Sequence, residues 1–423
     1  MNNKKYKIVV TGVGGREHAL SWKLSQSPDA EIVYTYPGNA GIPNSISDLQ
    51  LKGLSFREWC IITNIDLIVA GPEIDLVRGL KNRFEGTGIS VFGPDKTAAQ
   101  LEASKIFSKT FMRKYDIPTA DFKVFESEYS SAEVLDEIHR LDGNLVIKYD
   151  GLAAGKGVYV CDSIKQGVDA FNELRSLYGQ TAPFIIEHKL TGTEVSIIGI
   201  TDGKSIKLFS PSQDHKRLLD GDEGPNTGGM GAYSPVKSCT DELLERITKE
   251  IVQKTVEGIS SENLDYKGFI YFGIMMDEND NPFLLEYNVR LGDPEAEVIL
   301  PRMKNDLLPV ILNCLNGTLA ESDIENNDGY CVDVVLVSGG YPKIYAAGKS
   351  ISGLTNPLLN NCHIFYSAVQ QVDNVLHTSG GRVINVVAEG TTFEEARSKV
   401  YAACEAISFE DVFYRKDIGH RNL

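Results

Sequence analysis

Residues 283–295 read FLLEYNVRLGDPE, an apolar run that predicts a β-strand with polar side chains at alternate positions. Glu286, Asn288 and Arg290 are spaced by two, so a strand would direct all three to one face. Mg²⁺ takes one or two oxygen-bearing side chains together with substrate phosphates, and a guanidinium binds carboxylate or phosphate through paired hydrogen bonds. A hairpin strand with a polar outer face is the simpler alternative. The GDPE sequence that follows at 292–295 favours a metal–nucleotide site.

The composition excludes several classes of protein. The chain has 423 residues, of which 42% are hydrophobic and 24% charged, and this fits a globular protein of two or three domains. Its net charge of −16 argues against non-specific binding to nucleic acid or membrane. Seven dispersed cysteines without a C-x-x-C pair are typical of reduced thiols. With no recognisable signal peptide and no apolar run of about 18 residues, we expect a cytoplasmic protein.

The first hundred residues alternate strand and helix patterns. This alternation predicts a parallel sheet covered by helices on both faces. A capping box at Thr97 and Gln100 begins a further helix, which is predicted to reach about Lys114 and to carry Lys105. The predicted strands are 7–11, 31–36, 66–70 and 89–92, and helices are predicted from about residue 16, after Ser55 and over 75–84.

Two glycine turns follow the first two predicted strands. The turn GVGGREH (12–18) lacks the third glycine of the dinucleotide-binding fingerprint, because Glu17 takes that place, and this argues against a nicotinamide dehydrogenase. Glycine amides at a helix N-terminus can bind phosphate, and the second turn at 38–41 strengthens that interpretation. A tight β–α turn without a ligand is the alternative.

Lys148 ends a predicted strand directly before the loop DGLAAGKG (150–157). The loop is not a Walker A motif, since its glycines have the wrong spacing and Gly157 stands where Ser or Thr is required. A glycine flap that closes over a nucleotide fits the same residues, and so does a hairpin turn with a solvated lysine. Residues 210–235 are long, polar and glycine-rich, and we predict an irregular functional loop.

A lysine at a strand end, an acidic strand terminus and a Glu-x-Asn strand together resemble an ATP-grasp enzyme. Ten short strings along the chain narrow the resemblance. They are GGREHAL (14–20), PGNAG (37–41), GPE (71–73), FGP (92–94), DGLAAGKGV (150–158), SQDHKR (212–217), GPNTGGMGAYSP (224–235), RLGDPE (290–295), GGYP (339–342) and RKDIG (415–419). With these strings the chain closely resembles, within that superfamily, the phosphoribosylamine–glycine ligase (glycinamide ribonucleotide synthetase) family. The strings span the chain in the family's order and are far more specific than any single loop.

The resemblance implies a multidomain fold of α/β and α+β parts. An N-terminal parallel-sheet domain (1–101) would bind phosphoribosylamine. A central ATP-grasp domain (102–328) would carry a mobile lid at about 123–190, and a small C-terminal α+β domain (329–423) would complete the substrate pocket. It implies ATP and Mg²⁺ or Mn²⁺ as cofactors, glycine and 5-phosphoribosylamine as substrates, and no nucleic-acid or membrane partner. We expect a monomer, with a weak homodimer as the alternative.

The resemblance also implies roles for individual residues. Lys105 and Lys148 would bind the ATP phosphates, Gly155, Lys156 and Gly157 would belong to the lid loop, the Glu187 segment would meet adenine, and Glu194 would meet the ribose. Glu286 and Asn288 would hold the metal. Arg290, Asp214 and Lys216 would contact glycine or its activated intermediate as catalytic residues, and Gly14, Gly15, Gly38 and Asn39 would hold phosphoribosylamine.

The implied reaction is ATP-dependent ligation of glycine to phosphoribosylamine through glycyl phosphate, in de novo purine biosynthesis. The chain departs from the family pattern at His188 and Lys189, where an acid and an aromatic are usual, and at Tyr149, where a small residue is usual. The strand preceding the metal strand offers no further carboxylate at 272–274, so the metal site would depend on two side chains and phosphate oxygens. Another ATP-grasp carboxylate–amine or bicarbonate ligase, and a non-catalytic nucleotide-binding module, remain alternatives.

Overall fold

The computed structural model describes residues 4–153 and 157–422. Its N-terminal part is built on a parallel sheet, as predicted. The elements are β1 (Tyr6–Gly12), α1 (Gly15–Ser25), β2 (Ala30–Pro37), α2 (Phe56–Ile62), β3 (Leu67–Ala70), α3 (Glu73–Val77), α4 (Leu80–Phe84), β4 (Ser90–Phe92), α5 (Gln100–Ala103) and α6 (Lys105–Lys114). The strand order is β2-β1-β3-β4, with β1 central and buried. Because all four strands are parallel, their carboxyl ends and both glycine turns lie at one edge.

Two predicted helices are each divided in the structure. The helix predicted over 75–84 is α3 followed by α4, because Gly79 between them has φ +76° and breaks the helical geometry. The helix predicted from Thr97 is α5 followed by α6. Ser104 separates them in extended conformation, and its hydroxyl accepts the amide N–H three residues later as the N-cap of α6. Lys105 is therefore the first residue of a helix, not an interior one.

Residues 122–188 form what we call the small-sheet unit. Its elements are β5 (Phe122–Phe125), α7 (Ser131–Arg140), β6 (Asn144–Tyr149), β7 (Val158–Asp162), α8 (Ile164–Tyr178) and β8 (Phe184–His188). The sheet is antiparallel in the order β5-β8-β6-β7. The buried side chains Phe125, Ile138, Leu145, Phe171 and Phe184 make a hydrophobic core that is separate from the two larger cores of the molecule. This unit lies within the region expected to be the lid.

A second antiparallel sheet carries the candidate metal strand. The elements from 193 to 316 are β9 (Thr193–Thr201), β10 (Ile206–Leu208), β11 (Gln213–Asp214), β12 (Arg217–Leu219), β13 (Glu223–Asn226), β14 (Gly231–Ser234), α9 (Asp241–Ile247), α10 (Gln253–Ser261), β15 (Gly268–Met276), β16 (Pro282–Asn288), α11 (Ala296–Arg302) and α12 (Leu307–Asn316). A π-helical turn at Thr248–Val252 joins α9 to α10. The strand order is β10-β9-β15-β16, so β16 is an edge strand.

The pairing of β15 with β16 contains an irregularity beside the predicted metal ligands. Gly273 pairs with Glu286 and Ile274 pairs with Leu284, so Leu285 is left over on β16. An extra residue of this kind bends a strand and re-aims its side chains, and such bulges often lie next to active sites. Glu286 and Asn288 still share one face, while Arg290 lies beyond the end of the strand.

The prediction that residues 210–235 are wholly irregular is wrong. Four short strands, β11 to β14, occupy this segment, and β14 pairs with a strand of the C-terminal part. Backbone hydrogen bonds pair these strands, and backbone pairing leaves no side-chain periodicity in a glycine-rich sequence. The buried Arg415 guanidinium also holds the segment, through a 3.0 Å ion pair with Asp222 and a second ion pair with Asp417.

The C-terminal part shares an antiparallel sheet with this segment. Its elements are β17 (Tyr330–Val337), β18 (Cys362–Tyr366), β19 (Val369–Val372), β20 (Val375–Thr378), β21 (Arg382–Gly390) and α13 (Phe393–Ala406). The strand order β11-β14-β17-β21-β18 joins two regions that the sequence suggested were separate. Thr392 caps α13, since its side chain accepts a hydrogen bond from the Glu395 amide. Among the residues described, no helix has the length and apolar character needed to cross a membrane.

Replacement of Phe184 by alanine should unfold the small-sheet unit selectively. Phe184 is fully buried and stacks on Phe125 at a centroid distance of 4.9 Å, so its loss should cost about 3–5 kcal/mol of local stability. Hydrogen exchange should accelerate across residues 122–188, while β9 and β15 keep their wild-type protection. Val160→Ala, on the same sheet but 47% exposed, is the control. Equal acceleration throughout the chain would show that the unit has no separate stability.

Candidate active site

The predicted metal strand meets the first lysine of α6. The Lys105 ammonium lies 3.0 Å from Glu286 Oε2. Burial alone would raise the pKa of Glu286, but the ammonium groups of Lys105, Lys148 and Lys216 lower it far below its usual range. The carboxylate is therefore ionised at any physiological pH. Asn288 lies on the same face of β16, and no hydrogen bond of its side-chain amide is found among residues 4–153 and 157–422.

Glu187 lies between two buried lysines. Its Oε1 is 2.7 Å from Lys148 Nζ, and its Oε2 is 2.9 Å from Lys109 Nζ. The side chain is 2% exposed. The two lysines hold the pKa of Glu187 below its usual value although burial opposes them. The expected contact with adenine would therefore fall to the backbone of this segment, because the carboxylate is already engaged by lysines.

A fourth ion pair joins two other predicted residues. Lys216 Nζ lies 2.5 Å from Glu194 Oε2. Burial alone would lower the pKa of Lys216, but Glu194 and Asp214 raise it well above its usual value, so this lysine is charged. For Asp214, by contrast, the surroundings favour the neutral form. Burial, assisted by the nearby carboxylates of Glu295 and Glu194, raises the pKa of Asp214 to about 7 despite the attraction of Lys216.

Arg290 is held by acids that the sequence analysis did not select. Its guanidinium lies 3.2 Å from Glu73 and 2.9 Å from Glu102, and it donates a 3.1 Å hydrogen bond to the Leu291 carbonyl. Arg16 donates to the same carbonyl at 3.2 Å. Two of the five N–H groups of Arg290 thus remain for a ligand. Glu73 belongs to the GPE string, which could have indicated a site residue. Glu102 lies in none of the matching strings, so the sequence did not point to it.

Two amides of the first glycine turn are engaged within the protein. The amide of Gly14 donates to Glu17 Oε2 at 2.6 Å, and the amide of Gly15 donates to Ser367 Oγ at 3.0 Å. A Cβ on Gly15 would lie 2.6 Å from Glu297 Oε1, so this turn is packed tightly among acids. A phosphate contact at Gly14 or Gly15 would require these partners to move. The predicted phosphoribosylamine contacts at these two positions stay predictions.

The second glycine turn is also engaged within the protein. The Asn39 side-chain amide donates to the carbonyls of Val13, Tyr366 and Ser367, which ties this turn to the first turn and to the C-terminal part. Gly38 has φ +64°, a conformation that glycine adopts without strain. The predicted contact of Gly38 and Asn39 with substrate stays untested.

The loop after Lys148 is only partly described. Gly155 and Lys156 lie outside the described residues. The Gly157 carbonyl accepts a 2.8 Å hydrogen bond from the Tyr149 amide, which extends the antiparallel pairing of β6 with β7 by one step. The Tyr149 ring stacks on Tyr178 at 3.9 Å, on the small-sheet unit. Tyr149 thus occupies space within the small-sheet unit rather than beside Glu286.

Residues predicted for the nucleotide and for glycine converge on Glu286. Lys105, Lys148 and Lys216 all act electrostatically on Glu286, although they come from different parts of the chain. Among the described residues, no group of three or more His, Cys, Asp or Glu side chains is arranged to hold a metal ion. The arrangement suits a polyphosphate, which brings both negative charge for the lysines and further oxygen ligands for a divalent cation.

Comparisons with known proteins agree along the whole chain. Residues 6–102, 103–296 and 331–421 match the family models described as the N, ATP-grasp (A) and C domains of phosphoribosylglycinamide synthetase. The chain is 44% identical, over 98% of its length and 99% of the relative's, to a phosphoribosylamine–glycine ligase of Clostridium acetobutylicum.

Solved structures show the same relationship. A phosphoribosylamine–glycine ligase of Thermotoga maritima has a TM-score of 0.81 at 36% identity, covering 98% of this chain and 100% of that one. An N5-carboxyaminoimidazole synthase of Aspergillus clavatus shares the fold alone, with a TM-score of 0.64 at 15% identity over 96% of this chain and 99% of that one. The chain therefore belongs to the phosphoribosylamine–glycine ligase family and has the ATP-grasp fold.

Proposed function

We propose that this protein uses ATP to join glycine to 5-phosphoribosylamine, giving glycinamide ribonucleotide, ADP and phosphate in de novo purine biosynthesis. Full-length similarity to ligases of that name supports the substrates. The observation that carries the ATP-dependent chemistry is at Glu286, which pairs with Lys105 and whose pKa is lowered by the ammonium groups of Lys105, Lys148 and Lys216. Lys105 and Lys148 bind the phosphates, Glu194 binds the ribose, and the Glu187 segment binds adenine through its backbone.

The residues present fit a divalent cation bound together with the nucleotide. Glu286 is ionised, and Asn288 offers an amide oxygen on the same face of β16. Mg²⁺ or Mn²⁺ held there would supply charge neutralisation at the transferring phosphate. With two side-chain ligands the site depends on phosphate oxygens, so we expect metal to bind with ATP rather than before it.

The chemistry requires activation of a poor acyl donor. A glycine carboxylate oxygen attacks the γ-phosphorus of ATP, forming glycyl phosphate and releasing ADP. The amine of phosphoribosylamine then attacks the acyl carbon, phosphate leaves, and an amide bond forms with loss of a proton. Lys105 and Lys148 stabilise charge in the first step. Arg290, Asp214 and Lys216 are proposed to contact glycine or glycyl phosphate.

The domain limits and the lid belong to the same proposal. We infer domains at 1–101, 102–328 and 329–423, with residues of about 123–190 closing over ATP. Closure would exclude water, which would otherwise hydrolyse glycyl phosphate. The separate core of the small-sheet unit supports movement as one body. We further infer a cytoplasmic monomer without nucleic-acid or membrane partners.

ADP release should require glycine and phosphoribosylamine together. The first substrate supplies the carboxylate, and the second consumes the acyl phosphate, so omission of either should leave only slow background turnover. A coupled ADP assay with single-substrate omissions measures this. Release that is supported by bicarbonate in place of glycine would instead indicate a carboxylating ATP-grasp enzyme.

Glu286→Ala should abolish metal-dependent turnover. The substitution removes the carboxylate ligand and leaves Lys105 without its partner, so kcat should fall by a factor of about 10² or more. Steady-state kinetics over a range of Mg²⁺ concentrations gives the measurement. Glu250→Ala is the matched control, since Glu250 makes only a surface pair with Arg246. Near-normal activity of Glu286→Ala would refute the metal assignment.

The efficiency with glycine should rise between pH 6 and pH 8. The pKa of Asp214 is raised to about 7, so its carboxyl group is mostly protonated at pH 6 and mostly ionised at pH 8. Only the ionised form attracts the glycine ammonium group. The profile of kcat/KM for glycine reports this ionisation in the free enzyme. Asp214→Asn should lower kcat/KM and flatten this rise, and an unchanged rise in the variant would exclude Asp214 as its origin.

A further inference from the structure

Lys109 is a buried charged group to which the proposed reaction assigns no part. It lies on α6 four residues after Lys105, so the two side chains share one face of the helix. Its side chain is 2% exposed. Burying an ammonium group is costly unless it is paired and hydrogen-bonded, so its partners are the key to its role.

The partners of Lys109 connect α6 with the small-sheet unit. Its ammonium group lies 2.9 Å from Glu187 on β8, and the other oxygen of that carboxylate lies 2.7 Å from Lys148 on β6. Lys148 also donates a 3.3 Å hydrogen bond to the Leu285 carbonyl of β16. Lys109 and Lys148 therefore share a single negative charge.

A second route leads from Lys109 to the metal strand. Lys109 donates to the Thr119 hydroxyl, which in turn donates a 2.6 Å hydrogen bond to the Leu284 carbonyl. Three lysines thus contact consecutive residues of β16. Lys109 reaches the Leu284 carbonyl through Thr119. Lys148 donates directly to the Leu285 carbonyl, and Lys105 pairs directly with the Glu286 carboxylate. Movement of Glu187 would therefore disturb contacts of Lys109 and Lys148 with the small-sheet unit and with β16.

We propose that Lys109 is a positioning residue for ATP: by sharing Glu187 with Lys148, it leaves Lys148 with uncompensated positive charge directed at the triphosphate. Without Lys109, Glu187 would neutralise Lys148 in a one-to-one pair. With Lys109, two ammonium groups face one carboxylate, and the net positive charge is available to a phosphate. The inference rests on the proposed use of ATP and assigns Lys109 no direct contact with substrate.

The charge of Lys109 also gives the proposal a pH signature. The charged groups that face Lys109 are Glu187 from β8, Lys148 from β6 and Lys105 from its own helix. Burial lowers the pKa of Lys109 to about 8, and the two lysines add to this effect while Glu187 opposes it. Below pH 8 the ammonium form shares Glu187, and above pH 8 it loses its proton. ATP affinity should therefore fall as the pH rises through 8.

The test measures binding of a non-hydrolysable ATP analogue with Mg²⁺ to the full-length protein by titration calorimetry. Lys109→Met should weaken binding roughly tenfold, the scale of one lost charged interaction. Lys109→Arg, which stays charged, should bind within a few-fold of wild type at pH 7 and lack the decline near pH 8. Lys114→Met, on the same helix but exposed and paired with Glu262, should bind as wild type does. In turnover, Lys109→Met should raise KM for ATP and leave KM for glycine unchanged.

The outcomes separate this inference from the proposed function. Failure of the wild-type protein to bind the analogue would overturn both. Equal affinity of wild type and Lys109→Met would overturn the role of Lys109 alone. If Lys109→Met does not fold, the pH dependence of analogue binding by Lys109→Arg tests the role of Lys109 instead. A decline near pH 8 identical to that of wild type would then overturn the proposal.

Discussion

The candidate site depends on one electrostatic constraint, the burial of several lysines beside one another. A triphosphate site needs concentrated positive charge, but unpaired ammonium groups in a protein interior are unstable. Each lysine is therefore matched with a carboxylate. Lys105 pairs with Glu286, Lys216 with Glu194, and Glu187 serves both Lys109 and Lys148. Because two ammonium groups pair with the single carboxylate of Glu187, a net positive charge remains there, and a phosphate can bind to it.

Strand β16 is where these pairs meet. It lies at the edge of its sheet, so its exposed side faces α6 and the small-sheet unit. The extra residue, Leu285, bends the strand at the place where Lys148 of β6 and Lys105 of α6 contact it. Two residues after the end of β16, Arg290 forms ion pairs with Glu73 and Glu102. The nucleotide region and the proposed glycine region are therefore adjacent because they belong to one continuous stretch of chain.

Local patterns predicted much of this arrangement. The spacing of Glu286 and Asn288 correctly indicated a shared strand face, and the alternation of strands and helices correctly indicated the N-terminal parallel sheet. Hydrogen bonds between backbone atoms escaped prediction, because glycine-rich strands such as β14 have no side-chain period. The amides of Gly14 and Gly15 looked open to an anion, yet Glu17 and Ser367 occupy them. Ser367 comes from the opposite end of the chain, and no local pattern points to it.

The sequence by itself determined the family and the polar residues of β16, and it supplied the prediction that Lys105 and Lys148 bind phosphates, since short strings and periodicity depend only on neighbouring positions. Tertiary structure decided which charges compensate one another. Lys109 is four residues from Lys105, but its partner Glu187 lies on a strand of the small-sheet unit. Likewise the pKa of Asp214 follows from burial near Glu295 and Glu194. Burial and distance between remote residues set these energies, and both exist only in the folded chain.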